Sequence, residues 1–373
     1  MTSVERQSAE IDRRWMEAAL RLAERGLGVV WPNPAVGCII VKDGRVVGRG
    51  WTQPGGRPHA ETEALRRAGE QARGSTAYVS LEPCVHHGAT PPCTEALIAA
   101  GVERIVIAAE DPDPRVSGRG MRRLAEQGIR LTCGVMEAEA IRLNQGFFLR
   151  CREKRPLFTF KAATSLDGRI ATRTGASQWI SGEAARAWAH RLRATHDGIL
   201  VGSGTALADD PALTCRLPGL GSSSPVRIIA DGRLRLPLDA QVVRTARQTP
   251  TWVLTLPGNI HRHDAYTDHG VVVIEVDADA SGRMAPTAIA AALAARGLTR
   301  ILIEGGGTIV AAFLKAGLVD EVVWCHAPLI IGGDGIPAAR SLDADALDNT
   351  IRFDGVAAYA VGEDVFAEFR RGH

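Results

Sequence analysis

Apolar positions in the first half of the chain alternate between helical spacing and short continuous runs. Residues 10–25 place apolar side chains three or four apart, and Gly26 follows as a helix stop. Two apolar runs then flank Asp43-Gly44, the dipeptide that most strongly predicts a β-hairpin. Pro58 stands where the next helix begins. Further runs predict two strands and two helices in alternation, at TAYVSLEPC, CTEALIAAG, RIVIAA and MRRLAEQG.

The second half repeats the alternation after a charged stretch. Residues 150–156 (RCREKRP) interrupt the pattern and end in proline, which predicts a boundary between domains at 1–150 and 151–373. Strands at LFTFKAAT, DGILVG, PVRIIA and PTWVLTL and helices at GEAARAWAHRLRA and PTAIAAALAARG follow. Residues 217–225 and 257–270 are predicted surface loops. Alternating strands and helices indicate an α/β layer fold in both halves.

Composition and charge limit the class of protein. At 373 residues with 45% hydrophobic and 23% charged residues, the chain can fill two globular cores. The 44 basic and 42 acidic residues give a net charge of +2, which argues against nucleic-acid or membrane partners. The N-terminus resembles neither a signal nor a transit peptide. No apolar run approaches the ~20 residues needed to span a bilayer. Seven cysteines, an odd count, favour a reduced cytoplasmic protein.

Four residues of the first half predict a zinc-dependent deaminase. His59, Cys84 and Cys93 are suitable ligands for one zinc ion per chain, and three protein ligands leave the fourth position for water. Zinc lowers the pKa of that water to about 7 and so provides hydroxide for attack on an aromatic amidine carbon. Glu61, two residues beyond the histidine, is the predicted catalytic proton shuttle. This order matches the H-x-E and P-C signature of zinc deaminases.

The spacing of the cysteines departs from that general signature. Eight residues separate Cys84 from Cys93, where the usual spacing is two. Cys93 stands at a predicted helix start, where the helix dipole favours a thiolate. A structural zinc site with a fourth protein ligand is the alternative, and His86 or His87 could supply that ligand.

Two glycine-rich turns in the second half are candidate phosphate sites. Gly202-Ser203-Gly204 and Gly305-Gly306-Gly307-Thr308 each follow a predicted strand and precede a helix start. Neither completes G-x-G-x-x-G, so a Rossmann fold is not indicated. Lys161 lies on the predicted strand before SLDG (residues 165–168). It is a candidate catalytic donor to a reacting sugar or a candidate phosphate ligand, and the alternative is an ordinary surface lysine.

Motifs in both halves resemble one family. PNPAVG (32–37), HAE (59–61), LEPCVHHGATPPC (81–93) and DPDPRVSGRG (111–120) resemble the deaminase half of the bifunctional riboflavin-biosynthesis deaminase/reductases. KAATSLDGRIAT (161–172), SQWISG (177–182), ADDPALTCR (208–216) and IEGGGTIVAAFLKAGLVDE (303–321) resemble the reductase half. The resemblance covers roughly residues 10 to 365, and the long gap between the cysteines is a feature of that family.

The resemblance implies a fold, cofactors and further site residues. It implies a cytidine-deaminase-like three-layer α/β/α domain followed by a dihydrofolate-reductase-like α/β domain, with zinc in the first and NADPH in the second. The implied substrate contacts are Asn33, His86, Ser177, Arg193, Leu213, Arg216 and Glu304. The implied NADPH contacts are Ala163, Trp179, Thr205, Asp209, Gly306, Gly307, Thr308, Ile309, Val310, Ala311 and Ala312. Arg193 and Arg216 suit a substrate 5′-phosphate, because the guanidinium group offers forked hydrogen bonds.

The leading hypothesis is therefore a two-step enzyme. The first domain would deaminate 2,5-diamino-6-ribosylamino-4(3H)-pyrimidinone 5′-phosphate, and the second would use NADPH to reduce the ribosyl group of the product to ribityl. The family also implies a homo-oligomer, a dimer or tetramer. Two alternatives are a nucleic-acid editing deaminase, which requires a basic groove and stacking aromatic residues, and a zinc-stabilised binding module without catalysis. The net charge of +2 and the 5% aromatic content argue against the first alternative.

Overall fold

The computed structural model describes residues 3–86 and 91–372. The chain divides into two compact units, Met1–Glu153 and Lys154–His373. No helix within the described residues is long and apolar enough to cross a membrane.

The first unit is built on one mixed sheet. Its strands are β1 (Gly37–Lys42), β2 (Arg45–Trp51), β3 (Thr76–Val79), β4 (Arg104–Ile107) and β5 (Arg130–Cys133), in the order β2-β1-β3-β4-β5. β1 is antiparallel to β2 and β3, whereas β3, β4 and β5 are parallel. The helices are α1 (Ser3–Ala23), α2 (Ala60–Ala68), α3 (Cys93–Ala99), α4 (Arg119–Glu126), α5 (Glu137–Leu143) and α6 (Gln145–Glu153).

Glycines allow two helices to pack directly on the β1–β2 hairpin. A Cβ atom on Gly37 would lie 1.9 Å from the Ala19 carbonyl oxygen of α1, and one on Gly50 would lie 2.2 Å from the Ala60 oxygen of α2. Gly50 pairs with Cys38, the neighbour of Gly37, so the two glycines face opposite sides of the sheet. The predicted hairpin and the three-layer α/β/α arrangement are confirmed.

The second unit is built on a larger sheet. Its strands are β6 (Leu157–Thr164), β7 (Arg169–Ala171), β8 (Gly198–Gly202), β9 (Val226–Ala230), β10 (Thr251–Thr255), β11 (Val272–Glu275), β12 (Arg300–Ile303), β13 (Glu321–His326), β14 (Ile336–Pro337), β15 (Asp354–Val361) and β16 (Asp364–Arg370). Its helices are α7 (Glu183–Ala194), α8 (Ser203–Asp209), α9 (Gln241–Arg244), α10 (His263–Thr267), α11 (Pro286–Ala295) and α12 (Gly307–Lys315).

The strand order of the second unit makes β8 and β12 neighbours, although they are distant in sequence. The main sheet has the order β11-β10-β9-β8-β12-β6-β13-β16-β15, and β7 pairs with β14 separately. The seven strands from β11 to β13 are parallel, and β16 and β15 are antiparallel additions. β12 lies between β8 and β6, so the turns after β8 and β12 are neighbours. Ligands of open α/β sheets bind beyond such carboxyl ends, where the strand order reverses.

One predicted loop contains more structure than expected. Residues 257–270 include α10, whose Tyr266 is 1% exposed. The Tyr266 hydroxyl donates to the carbonyl oxygens of Leu234 and Leu236, at 3.1 and 2.6 Å. The tyrosine thus anchors a segment whose polar composition predicted a solvated loop.

Candidate functional site

The three predicted zinc ligands come together in the first unit. His59 precedes α2, Cys84 follows β3, and Cys93 is the first residue of α3. The His59 Nδ1 atom lies 3.3 Å from Cys93 Sγ and 3.7 Å from Cys84 Sγ. Among the described residues these are the one group of three or more His, Cys, Asp or Glu side chains able to share a metal ion.

These separations fit a tetrahedral zinc site. With Zn–S near 2.3 Å and Zn–N near 2.1 Å, tetrahedral geometry puts ligand atoms about 3.5 to 3.8 Å apart. All three ligand atoms lie within 4.8 Å of one another. His86 is outside this group, and His87 lies outside the described residues. Three protein ligands leave one position for water, as a catalytic site requires.

The start of α3 stabilises negative charge on Cys84. The backbone N–H of Cys93 donates to Cys84 Sγ over 3.3 Å. Hydrogen bonds from the Cys93 thiol and from His59 hold the pKa of Cys84 well below its usual 9.0, despite burial. The hydrogen bond to Cys84, together with burial, raises the pKa of Cys93 in the metal-free protein. From the sequence, the helix start was predicted to stabilise the Cys93 thiolate. In the structure the Cys93 N–H group donates to Cys84 Sγ, so Cys84 is the thiolate that it stabilises.

Glu61 has the environment of a proton shuttle. It lies on the first turn of α2, is 3% exposed, and faces the same cavity as His59 and Cys84. Burial raises its pKa to about 7, against the opposing attraction of His59. A carboxyl group with a pKa near the working pH can both accept and return a proton.

A cavity of about 190 Å³ opens beside the ligands. It is lined by Asn33 and His86, two predicted substrate contacts, and the buried His86 Nδ1 atom has no hydrogen-bond partner among the described residues. The cavity also contains Asp111 and Arg150, to which the sequence assigned no role. Burial raises the pKa of Asp111 to about 7. The DPDP motif that contains Asp111 was the available signal.

Two buried side chains fix the loops around this cavity. Glu82 accepts backbone hydrogen bonds from Asp111, Gly118 and Met121, at 3.3, 3.0 and 3.1 Å. The Asn144 carboxamide accepts from the Ala35 N–H over 2.8 Å and donates to the Ala35 carbonyl over 2.9 Å. These bonds connect the PNPAVG and DPDP loops to the sheet and to the α5–α6 junction.

In the second unit the two glycine-rich turns are in contact and form a single candidate phosphate site. The Gly202 N–H donates to the Gly305 carbonyl over 3.5 Å. A Cβ atom on Gly306, at φ +85°, would lie 3.2 Å from Gly202 N, and one on Gly305 would lie 3.2 Å from Thr205 Cγ2. Only glycine permits this approach. The start of α12 thus lies at the joined turns, and a helix start is a favourable site for a phosphate.

A second cavity, of about 230 Å³, brings together some of the predicted reductase residues. Its lining includes six predicted contacts and two residues, Arg186 and His190, that the sequence did not identify. The Arg186 guanidinium lies 4.6 Å from the centre of the Trp179 ring, and Trp179 is 69% exposed. Glu304 is joined to the cavity through an ion pair with Arg193. The six predicted residues are Lys161, Ala163, Ser177, Trp179, Arg193 and Arg216.

Several other predicted contacts have buried side chains. Val310 and Ala311 on α12 and Leu213 are at most 4% exposed, and the Leu213 side chain packs in the core of this unit. Thr308, Ile309 and Ala312 line a further cavity beside α12. Asp209, at the end of α8, is exposed.

Two family models match the two halves of the chain. The model of the "cytidine and deoxycytidylate deaminase zinc-binding region" matches residues 9–109, and that of the "RibD C-terminal domain" matches residues 156–366. The chain is 39% identical to "Riboflavin biosynthesis protein RibD" of Aquifex aeolicus, over 97% of this chain and 99% of that protein. It is 41% identical to the protein of that name from Escherichia coli, over 95% and 98%.

Solved structures resemble the whole chain. Acinetobacter baumannii RibD, form 1, aligns with a TM-score of 0.88 at 36% identity, covering 98% of this chain and all of that one. A Thermotoga maritima "diaminohydroxyphosphoribosylaminopyrimidine deaminase/5-amino-6-(5-phosphoribosylamino)uracil reductase" aligns with a TM-score of 0.85 at 32% identity, covering 98% and 100%.

Proposed function

The chain belongs to the RibD family of bifunctional riboflavin-biosynthesis enzymes, and from that membership we propose which of its residues carry out each step. It is a zinc-dependent deaminase in its N-terminal part and an NADPH-dependent reductase in its C-terminal part. The deaminase acts on 2,5-diamino-6-ribosylamino-4(3H)-pyrimidinone 5′-phosphate, and the reductase converts the ribosyl group of the product to ribityl. We assign the first step to the unit Met1–Glu153 and the second to Lys154–His373, a division that lies at the end of α6, three residues beyond the boundary predicted at 150.

For the deamination, we assign His59, Cys84 and Cys93 as ligands and Glu61 as the proton carrier. Zinc, when bound, supplies an activated water at neutral pH. Glu61 takes a proton from the nucleophile and delivers one to the departing amine, a role supported by its burial and its raised pKa. From the cavity wall, Asn33 contacts the pyrimidine and His86 helps to hold the phosphorylated ribose. The observation that carries this assignment is the three-ligand group beside a buried glutamate.

For the reduction, we assign the joined glycine turns to the cofactor and the 230 Å³ cavity to the substrate. NADPH supplies the hydride. Residues 306–312 hold its phosphates, with Ala163, Trp179, Thr205 and Asp209 as further cofactor contacts. Lys161 donates a proton or hydrogen bond to the opening sugar, and Ser177, Arg193, Leu213, Arg216 and Glu304 bind the substrate. The support is that Lys161, Arg193 and Arg216 line one cavity.

We also propose that the protein works in the cytoplasm as a homo-oligomer, a dimer or tetramer. No disulfide joins the cysteines within the described residues, as expected in a reducing compartment. β15 is an edge strand of the large sheet, and Val356 on it and Val365 on β16 are 44% and 47% exposed. An exposed apolar edge is a common site for pairing with a second chain. Light scattering on the purified protein measures the number of subunits.

One incubation tests both catalytic assignments. The purified protein is mixed with the diaminopyrimidinone phosphate, with and without NADPH, and the products are identified by mass. Without NADPH we expect ammonia and the deaminated ribosylamino compound. With NADPH we expect the same compound carrying a reduced, open ribityl chain. Unchanged substrate in both reactions would contradict the proposal, and deamination without reduction would contradict its second half.

A further inference from the structure

One helix of the second unit carries three of the side chains that line the 230 Å³ cavity. Arg186, His190 and Arg193 stand at positions i, i+4 and i+7 of α7, so they lie on one face of that helix. A helix moves as a rigid element when one of its ends is released. The directions of these three side chains therefore depend together on what holds α7 in place.

The same face of α7 contacts a segment that contributes to the cavity. A terminal nitrogen of Arg193 donates to the Thr214 carbonyl oxygen over 3.1 Å, and His190 Nδ1 lies 3.1 Å from that oxygen. Arg216, two residues beyond Thr214, lines the cavity. Arg193 is also paired with Glu304, at 2.7 Å. A displacement of α7 would therefore be transmitted to both arginines that we assign to the substrate.

A buried histidine ties the C-terminal end of α7 to the sheet. His196 lies two residues beyond the helix and is 1% exposed. Its Nδ1 atom lies 2.7 Å from the carbonyl oxygen of Leu192, in the last turn of the helix. Its Nε2 atom lies 3.0 Å from Oγ1 of Thr159, a residue of β6 that is also 1% exposed. One imidazole ring thus connects α7 to β6, and we name His196 and Thr159 the latch.

The hydrogen atoms of the latch follow from its acceptors. A carbonyl oxygen only accepts, so Nδ1 of His196 carries the ring hydrogen and donates to Leu192. Burial and the positive charge of Arg300 lower the pKa of His196 to about 4, so the ring is neutral at pH 7. Nε2 of the neutral ring then accepts a hydrogen bond from the Thr159 hydroxyl. That hydroxyl has one hydrogen, so it does not donate at the same time to Glu321 Oε2, 3.1 Å away.

Glu321 is held by cations instead. Its Oε2 atom lies 3.6 Å from an Arg300 terminal nitrogen, and its Oε1 atom accepts from Arg370 Nε over 3.4 Å. These two arginines stabilise the carboxylate, which leaves the Thr159 hydroxyl to His196. Among the described residues, Thr159 is the one hydrogen-bond partner of His196 Nε2. Loss of this hydroxyl would leave a buried ring nitrogen unpaired, which is costly.

We propose that the latch positions α7, and with it Arg193 and Arg216, for binding of the reductase substrate. Neither His196 nor Thr159 lines the cavity, so both act through the helix and not by contact with the reacting atoms. Removal of the Thr159 hydroxyl releases the C-terminal end of α7 from β6. The inference rests on the proposed reductase and adds two positioning residues outside its cavity.

The kinetic test removes one hydroxyl and then restores it. Thr159→Val keeps the branched shape of the side chain, and Thr159→Ser keeps the hydroxyl. Thr251→Val is the matched control, because Thr251 is a 1% exposed threonine of β10 in the same sheet whose hydroxyl donates to the Val242 carbonyl oxygen over 3.0 Å. The full chain is supplied with the deaminated intermediate, and NADPH oxidation gives KM and kcat. Tryptophan quenching gives the Kd for NADPH, and circular dichroism establishes that each variant folds.

We expect Thr159→Val to raise the KM for the intermediate about tenfold, since a displaced charge-assisted contact changes affinity by about that factor. Its kcat and its Kd for NADPH should stay within about threefold of wild type, and Thr159→Ser should return KM to within about threefold. An unchanged KM in Thr159→Val, no recovery in Thr159→Ser, or an equal rise in Thr251→Val would overturn the inference. A wild-type protein that does not reduce the intermediate would instead contradict the proposed reductase.

The ring of His196 gives a readout that is independent of turnover. In protein labelled with ¹⁵N-histidine, the His196 signal is the one that disappears in His196→Gln. We expect a neutral ring with its hydrogen on Nδ1 at pH 7, and a changed Nε2 resonance in Thr159→Val, because that nitrogen loses its donor. Thr251→Val should leave the resonance where it is. An Nε2 resonance that is the same in Thr159→Val and in the wild type would overturn the latch.

Discussion

Arg193 and Glu304 form a two-pronged ion pair at the reductase cavity. Arg193 Nε donates to Glu304 Oε1 over 2.8 Å, and a terminal nitrogen donates to Oε2 over 2.7 Å. The other terminal nitrogen donates to the Thr214 carbonyl over 3.1 Å. Three of the five N–H donors of the guanidinium are thus engaged within the protein. The forked phosphate contact predicted for Arg193 is made to a carboxylate instead, which leaves one N–H on each terminal nitrogen for substrate.

This pair predicts a pH-dependent contribution to stability. Burial alone would raise the pKa of Glu304, but attraction and hydrogen bonding from Arg193 lower it to about 2. The folded-state pKa is below the ordinary 4.5, so the contribution is present above pH 4.5 and is lost as the pH falls toward 2. Glu304→Gln should lower the free energy of unfolding by about 3 kcal/mol at pH 7, because it leaves a buried arginine unpaired.

Urea unfolding at several pH values measures this effect. The difference between wild type and Glu304→Gln should stay constant between about pH 7 and 5 and narrow below pH 4.5. Asp334→Asn is the control, because Asp334 pairs with Arg173 in an exposed ion pair, 3.6 Å apart. That variant should change stability by less than about 1 kcal/mol. A difference that is already narrow at pH 7 would show that Glu304 does not hold Arg193 in the folded protein.

Glu61→Gln should separate metal binding from proton transfer. Glutamine keeps the size of the side chain but cannot carry a proton, so ammonia release should fall by about 10² to 10⁴-fold with zinc content unchanged. Reduction of a supplied deaminated intermediate should continue at the wild-type rate. Glu95→Gln on α3, whose glutamate pairs with Arg123 near the surface, is the matched control. Turnover retained in Glu61→Gln would reject the proton-carrier role.

The cysteines should divide into ligands and bystanders. Cys93→Ala and Cys84→Ala should each lose bound zinc and deaminase activity, because two ligands cannot hold the ion in a tetrahedral site. Cys133→Ala should lose neither, since Cys133 is an exposed free thiol. Metal content is measured after dialysis against a weak chelator. Full zinc occupancy in Cys93→Ala would reassign the third ligand, and the histidines of the intervening loop would be examined next.

The deaminase site was predictable because its residues belong to short sequence motifs. His59 and Glu61 are two residues apart, so their common helix start fixes their relation. The direction of the Cys93 N–H toward Cys84 was not predictable, because it depends on how α3 meets the turn after β3. Asp111 was missed as a cavity residue for a similar reason. Glu82 places it there through one hydrogen bond, from the Asp111 N–H, that spans 29 residues of sequence.

The reductase site was harder to predict because its parts are far apart in sequence. The sequence identified the turns at Gly202 and Gly305, but only the insertion of β12 between β8 and β6 makes them one site. Propensity and spacing do not contain such tertiary information.

Lys161 should affect the chemistry of reduction without affecting the cofactor. It lines the cavity with Arg193 and Arg216, whereas we assign the cofactor phosphates to the glycine turns. Lys161→Met should lower the rate of reduction by about 10² or more, with the dissociation constant for NADPH within about twofold of wild type. Lys161→Arg should recover part of a purely electrostatic role. Parallel losses in NADPH affinity and rate would identify Lys161 as a cofactor ligand instead.

Gly50→Ala should damage the deaminase site through packing alone. A Cβ atom at Gly50 would lie 2.2 Å from the Ala60 carbonyl oxygen and 2.7 Å from Ala64 N, and both are backbone atoms of α2 that cannot turn aside. The helix must move away from β2, and α2 carries Glu61 and begins beside His59. We expect a loss of about 1 to 3 kcal/mol in unfolding free energy, as for overpacked cores, together with weaker zinc binding.

Gly221→Ala, where nothing lies within 4 Å of the added atom, should change neither quantity. Normal zinc affinity in a destabilised Gly50→Ala would show that the ligand geometry tolerates displacement of α2, and that the loops anchored by Glu82 and Asn144 hold the site.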